Sequence, residues 1–147
     1  MFRISIRPMI RAAVRSLAVL TLALLASCAN PQRAERKAER MQLVESAAGN
    51  PLKSFHFWNL DRFETLDRTR VLIWTRPNKA YLLDVEEPCV GLEFAHALGV
   101  SSTQNRVHNR FDNVFFEDQR CRIRQIREVD VAIIRAQRQD GDASRTR

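Results

Sequence analysis

Four glycines in 147 residues leave no material for a glycine-rich loop that cradles phosphates, so nucleotide chemistry built on such loops drops out. There is no Cys-x-x-Cys pair, which argues against a thiol oxidoreductase. Gly-x-Ser-x-Gly and His-Glu-x-x-His are also missing, and a nucleophile needs a base beside it and donors for the charge that develops. The three histidines, His56, His96 and His108, stand singly and read as surface or half-buried side chains, not general bases. No catalytic residue, metal or cofactor is implied, and a hydrolase is the weakest reading retained. Finally, no acid occurs among the first 27 residues, and the apolar run there is too short to span a bilayer.

That N-terminal segment carries Arg3, Arg7, Arg11 and Arg15 ahead of an apolar stretch at residues 16–26. Positive charge, a short apolar run and small residues at its end describe a signal peptide, not a transmembrane helix. The run closes on Leu25-Ala26-Ser27-Cys28, which resembles the lipobox of bacterial lipoproteins. The resemblance implies cleavage before Cys28 and a diacylglyceryl group on its thiol, usually with a third chain on the new amino terminus. At about 0.8 kcal/mol per buried methylene, such an anchor holds stably to a membrane. An ordinary secretory signal with an accidental cysteine is the alternative. Ala29, where an aspartate favours inner-membrane retention in lipoproteins of this kind, points to the outer membrane, facing the periplasm. Met9 is a plausible start as well, because it shortens the charged region without touching the lipobox.

With Cys28 committed to lipid, Cys89 and Cys121 remain as an even pair in an oxidising compartment, so one disulfide is expected. Closing a loop of this length stabilises a small domain by about 3 to 4 kcal/mol. A zinc site from Cys89, His96, His108 and Cys121 is the competing reading, but gaps of six, eleven and twelve residues match no close-paired ligand spacing. Charge follows the same division. The formal +7 includes the four signal arginines, whose removal leaves 20 basic against 17 acidic residues. Residues 51–134 hold 12 of each, so the folded part is neutral and no nucleic-acid partner is expected.

The chain then divides into a signal peptide at 1–27, a lipidated tether at 28–50, a domain at 51–134 and a polar tail at 135–147. In the tether, Asn30 can cap a helix with Pro31 in its first turn, and Gly49 can end it. Ala34, Ala38, Met41, Val44 and Ala48 form a thin apolar stripe opposite Arg33, Arg36, Lys37 and Arg40. A solvated spacer helix is expected, with a helix lying on the membrane or on a partner as the alternative. Residues 137–147 offer no aliphatic side chain larger than alanine and are expected to be disordered.

The domain reads as short strands between turns. Phe55 and Phe57 alternate with Ser54 and His56, and a second strand lies around residues 62–66. Val71-Leu72-Ile73-Trp74 is apolar on both faces, as a central strand is. Arg76-Pro77-Asn78-Lys79 supplies a turn into Tyr81, Leu83 and Val85, making a hairpin. One or two helical turns fit residues 92–98. Further strands fit residues 106–108, 113–116 and 121–126, with a second hairpin turn at 117–120. Asp130 caps a last helix carrying Val131, Ile133 and Ile134. The expected fold is mainly β, with α+β as the neighbouring class. It is a small antiparallel sheet curled towards a barrel, with a helical tether before it and a short helix after it.

Trp74-Thr75-Arg76-Pro77, Ala80-Tyr81-Leu82-Leu83, Pro88-Cys89 with Leu92, Phe111-Asp112 with Val114, and Cys121-Arg122-Ile123 with Ile126 together resemble a family of small exported proteobacterial proteins. That family is known only as a domain of unknown function. The resemblance spans about residues 50–131 and implies the same disulfide-bridged β domain, with no catalytic or binding residue to carry over.

Surfaces are the remaining candidates. Arg122 and Arg124 alternate with Cys121 and Ile123, so both project from one sheet face, where Arg110 or Arg127 can join them. Such a set holds phosphate or carboxylate groups, or else forms an ion-paired solvated face with Glu117, Asp118 and Glu128. Asp84, Glu86 and Glu87 read as a solvated strand end in preference to a cation site. His56 and Trp58 share the face opposite Phe55 and Phe57: covered by the last helix it is core, which is the expectation, and open it is a partner patch. The functional expectation is an interaction module of the envelope, held by acyl chains on Cys28, whose partner is an envelope protein or glycan. Binding of a small amphiphile or anionic lipid within the curled sheet is the alternative, and a cavity lined by Phe and Leu is what distinguishes it.

Overall fold

The computed structural model describes residues 31–145. The expectations for the signal peptide, the Met9 start and Cys28 lie outside the described residues. The chain divides into two compact units between Arg36 and Lys37. Of the first, only residues 31–36 are described, the opening of helix α1 (Pro31–Ala47). From Lys37 onward α1 is followed by β1 (Ala48–Leu52), β2 (Ser54–His56), β3 (Arg62–Thr65), β4 (Arg70–Arg76), β5 (Lys79–Val85), a 3-10 turn (Leu92–Phe94), β6 (Gly99–Val100), β7 (Arg106–His108), β8 (Asn113–Phe116), β9 (Gln119–Val129) and helix α2 (Val131–Arg145).

Seven strands form one antiparallel sheet curled into a half-barrel, in the order β3-β4-β5-β9-β8-β6, with β1 also on β9. Two features of the sequence organise it. The first is the β4–β5 hairpin, closed by Pro77 and Asn78 between the Arg76 and Lys79 pair, where proline presets the turn and lacks only an N–H the ladder does not use. The second is β9, whose eleven residues reach past any one neighbour. One edge of β9 carries β5 from Ala80↔Val129 to Val85↔Ile123. Its other edge is shared, β8 pairing along residues 119–122 and β1 along 126–129. Arg124 is an extra residue opposite the Asp84–Val85 step, and Thr75 an extra residue opposite the Lys79–Ala80 step. Such bulges bend a strand and strengthen its twist, which curls the sheet.

The central strands are buried on both faces, so there are two cores. Inside the curl, Val71, Ile73, Tyr81, Leu83, Ile123 and Ile126 pack with Phe55 and Val107 from a separate β2–β7 ribbon that closes the concave side. On the outer face, Leu72, Trp74, Ala80, Leu82 and Val129 are covered by Val44 and Ala47 of α1 and by Val131 and Ile134 of α2. Leu72, Ile73, Leu82 and Leu83 are fully buried, each worth about 1.5–3 kcal/mol over an exposed position. Cys89, in the loop after β5, is bonded to Cys121 of β9 with Cα atoms 5.7 Å apart. Asp130 caps α2 by accepting from the Ala132 N–H at 2.8 Å, and its own N–H donates to the Ala47 carbonyl, closing α1 against the start of α2.

The mainly β, curled and antiparallel architecture with a C-terminal helix is therefore as the sequence implies. Three details differ. Met41, Val44 and Ala47, inside the stretch 28–50 read as a solvated tether, pack against the outer core, because the sheet's outer face is apolar and needs a cover. Gly49 does not end α1; the helix stops at Ala47 and the chain enters β1 directly. And α2 continues to Arg145, through the stretch read as disordered. Among the described residues, no helix is long and apolar enough to cross a membrane.

Candidate functional site

A groove that joins an exposed indole to basic side chains lies where the β2–β7 ribbon meets the end of the β4–β5 hairpin. Alternation along residues 55–58 sends Phe55 inward and leaves His56 and Trp58 outside. Phe55 stacks on Tyr81 at 4.0 Å and meets Phe57 edge-on at 6.1 Å, which fixes the segment while Trp58 stays 72% exposed. The Phe57 N–H donates to the Asn105 carbonyl at 2.8 Å, holding the chain beyond β2 in place. Across from it, the Thr75 bulge sets the direction of Arg76 and of the hairpin end. Together these segments enclose a groove of about 560 Å³, lined also by Asn59 and Lys79, within the range of small-molecule sites.

Its electrostatics are one-sided. Lys79 Nζ sits 5.9 Å from the centre of the Tyr81 ring and 3.4 Å from Glu128. The Tyr81 phenol and Glu128 hold the Lys79 ammonium above its usual value, and burial pushes the Tyr81 phenol up, so near neutral pH the groove meets a cation beside a neutral hydroxyl. His56 Nε2 lies 2.8 Å from Arg106 Nη2; a guanidinium only donates, so this ring nitrogen accepts. Among the described residues, no acidic side chain lines the groove.

The expectation that the last helix covers His56 and Trp58 is thus overturned. That helix packs on Leu72, Trp74 and Leu82, on the far side of the sheet, and the face is open. Of the arginine set, Arg122 and Arg124 are exposed on the outer face of β9 and form no ion pair among the described residues. Arg127 does not join them as a free cation. It donates from Nη1 and Nη2 to Glu45 at 2.7 and 3.1 Å and from Nη2 to Asp84 at 3.3 Å. Arg110 lies elsewhere, in the turn after β7 with φ 67°, beside Lys53 and Phe111. Nor does Glu128 balance these arginines, since it pairs with Lys79. Asp84 is buried whereas Glu86 and Glu87 are exposed, and no cluster of three potential metal ligands occurs among the described residues. Cys89 and Cys121 are joined to each other, which removes both thiols from the zinc reading. His96 is exposed and His108 half-buried, and among the described residues no hydroxyl or thiol side chain is hydrogen-bonded to a histidine.

A family model matches residues 9–145, nearly the whole chain. The chain belongs to DUF6491, a family of unknown function. No curated protein and no solved structure matches it. The segments that stood out in the sequence of this DUF6491 protein have structural work. Asp112 is buried and accepts from Ser101 Oγ and from the His108 N–H, both at 2.7 Å, which orders the turn between β7 and β8. Trp74 is buried under the Arg62 guanidinium, 4.4 Å from the ring centre.

Sequence reasoning missed Asn59, Thr75, Arg76 and Lys79 as site residues. The hairpin that carries the last three was legible; that the β2–β7 ribbon brings Trp58 to them was not. It also missed the ionic seam beneath α1. Glu45 accepts from Arg70 at 2.7 Å as well as from Arg127, Arg70 donates to Asp67 at 2.7 and 2.9 Å, and Arg40 pairs with Glu64 in a bidentate fork at 2.6 and 2.7 Å. The Arg127 hydrogen bonds hold the Glu45 carboxyl below its usual range, while burial raises that of Asp84 in spite of Arg127.

Proposed function

We propose that this DUF6491 protein is a lipid-anchored interaction module of the cell envelope, tethered through Cys28 to the outer membrane and facing the periplasm, and that it engages an envelope protein or glycan through the groove at Trp58. The observation that carries the reading is an indole left 72% exposed directly after the anchored Phe55 and Phe57, in a groove whose charged lining is basic. Exposed aromatic and arginine side chains in a partly desolvated concavity are what binding surfaces concentrate. The inner core supports a surface site over an amphiphile held within the curl. Leu83, Leu92, Val107, Val114, Ile123 and Ile126 fill it with no exposed surface, so the Phe- and Leu-lined space that alternative needs is occupied by side chains.

Two measurements test the reading. Labelled palmitate should enter the wild-type protein and not Cys28→Ala, which should be released from the membrane fraction; a membrane-bound Cys28→Ala removes the anchor. For the groove, an aromatic photo-crosslinking residue in place of Trp58, which keeps a ring at that position, should give in cells a discrete adduct that Arg76→Glu abolishes, while the same residue at Asp118, in the β8–β9 turn, should not. Equal adducts from both positions, or none from position 58, sink the binding role.

A further inference from the structure

Resting on that reading of the groove, we infer that its ligand is an anionic saccharide: a sugar ring laid on the exposed indole of Trp58, its carboxylate taken by Arg76 and Lys79. The lining divides into three chemistries. Trp58 supplies one open aromatic plate, whose electron-rich face attracts the weakly positive C–H bonds of a pyranose ring. Asn59, Thr75 and the Tyr81 phenol supply neutral donors and acceptors, the groups that read hydroxyls. Arg76 and Lys79 supply positive charge; Lys79 is paired with Glu128, and among the described residues no carboxylate lines the groove beside Arg76, whose guanidinium matches a carboxylate in geometry as well as charge.

Other ligand classes fit less well. An apolar peptide needs apolar side-chain pockets, and apart from Trp58 the aromatic lining is Tyr81, only 3% exposed and covered on one face by Phe55 at 4.0 Å. A single-stranded nucleic acid needs successive stacking plates and a basic track for its phosphates, whereas one plate is open here and residues 51–134 carry 12 basic and 12 acidic side chains. A bare anion makes no use of the indole.

The chain contains two tryptophans, and Trp74 is buried in the outer core beneath Arg62, so a fluorescence change on titration reports Trp58. The full-length protein, in detergent, is titrated with an oligogalacturonate, a neutral cello-oligosaccharide of equal length, an oligoglutamate peptide and oligothymidylate. The oligogalacturonate should shift the emission and bind at least about tenfold more tightly than the neutral sugar. Trp58→Phe should remove the signal, and calorimetry on Trp58→Ala should show the binding itself lost. Arg76→Gln and Lys79→Gln should each weaken it by about three- to tenfold, with melting temperatures close to wild type because both side chains lie at the surface. Equal affinity for the neutral sugar, tighter binding of the peptide or the oligonucleotide, or no response to any sugar overturns the assignment. If the sugars fail but the Arg76-dependent adduct from position 58 forms, the groove remains a binding surface and only its ligand class is wrong; if both fail, the reading of the groove falls with it.

Discussion

Replacing Glu45 by glutamine tests whether α1 belongs to the domain or merely leads to it. The change keeps side-chain size and helix propensity while deleting the charge that accepts three arginine hydrogen bonds, at 2.7, 2.7 and 3.1 Å. A charge-assisted hydrogen bond in a buried setting contributes about 1.5–3 kcal/mol, an exposed ion pair about 0–1 kcal/mol. The Glu45 side chain is 32% exposed and that of Arg127 17%, and Arg127 and Arg70 keep Asp84 and Asp67 as partners. The expected loss is therefore about 2 kcal/mol for the whole set, well short of three buried bonds. In a domain of this size that lowers Tm by about 8 °C. Thermal denaturation followed by circular dichroism reads it, with Glu39→Gln, on an exposed position of the same helix, as the control expected to stay within about 0.5 kcal/mol of wild type. The pH dependence has a definite sign. Arginine hydrogen bonds hold the Glu45 carboxyl below its usual range, so its contribution is complete above the unfolded-state value near 4.3 and is lost as pH falls through the folded value. The gap between wild type and Glu45→Gln should be full at pH 7 and close in acid. Asp84, raised chiefly by burial, has the opposite sign, losing stability as pH rises through its folded value; that burial is common to both proteins, and Glu45→Gln lifts only the smaller raising effect of the Glu45 charge. A change in Tm below about 1 °C at pH 7, or a gap that persists undiminished in acid, refutes the docking of α1 through this seam.

Two further outcomes concern the sheet. Removing the disulfide as Cys89→Ala with Cys121→Ala should cost about 3–4 kcal/mol in urea denaturation, and a loss below about 1 kcal/mol would show that packing around Leu92 already holds the loop. At Gly99, an added Cβ would overlap the ring of Phe115, its partner across β6 and β8; Gly99→Ala should cost about 1 kcal/mol in wild type. In a Phe115→Ala background the same substitution should be neutral or stabilising, since alanine restricts the unfolded chain more than glycine does. Equal effects in the two backgrounds would remove the ring as the cause.

Much of the strand layout was legible because it rests on local rules. Alternation marked residues 54–57 and 81–85, the doubly apolar run at 71–74 marked a central strand, and Pro77 marked the turn between them. The short β6 and the start of β1 at Ala48 were not legible: neither has an alternation long enough to detect, and both exist because β8 and β9 offer unpaired edges. The site was half legible. His56 and Trp58 were recognised as sharing a face, but whether that face was core or surface depended on where the last helix packed. An amphipathic helix states that it has an apolar side without stating what that side meets. Here α1 and α2 both met the outer face of β4 and β5, which left Trp58 uncovered.

The arginines of β9 show the same division. Period-two alternation by itself placed Arg122 and Arg124 on the face opposite Cys121 and Ile123, and the even pair of cysteines determined which residues were free to bridge. Only the tertiary structure decided what those charges do. The bulge at Arg124 shifts the register by one residue, so that Arg127, three positions later, still points to the outer face, where Glu45 descends on it from α1. The sequence determined local direction through covalent geometry and turn chemistry. Which surfaces were covered, which charges were paired and where a groove stayed open depended on contacts between segments far apart in the chain, and those form only when the sheet has curled and both helices have found its outer face.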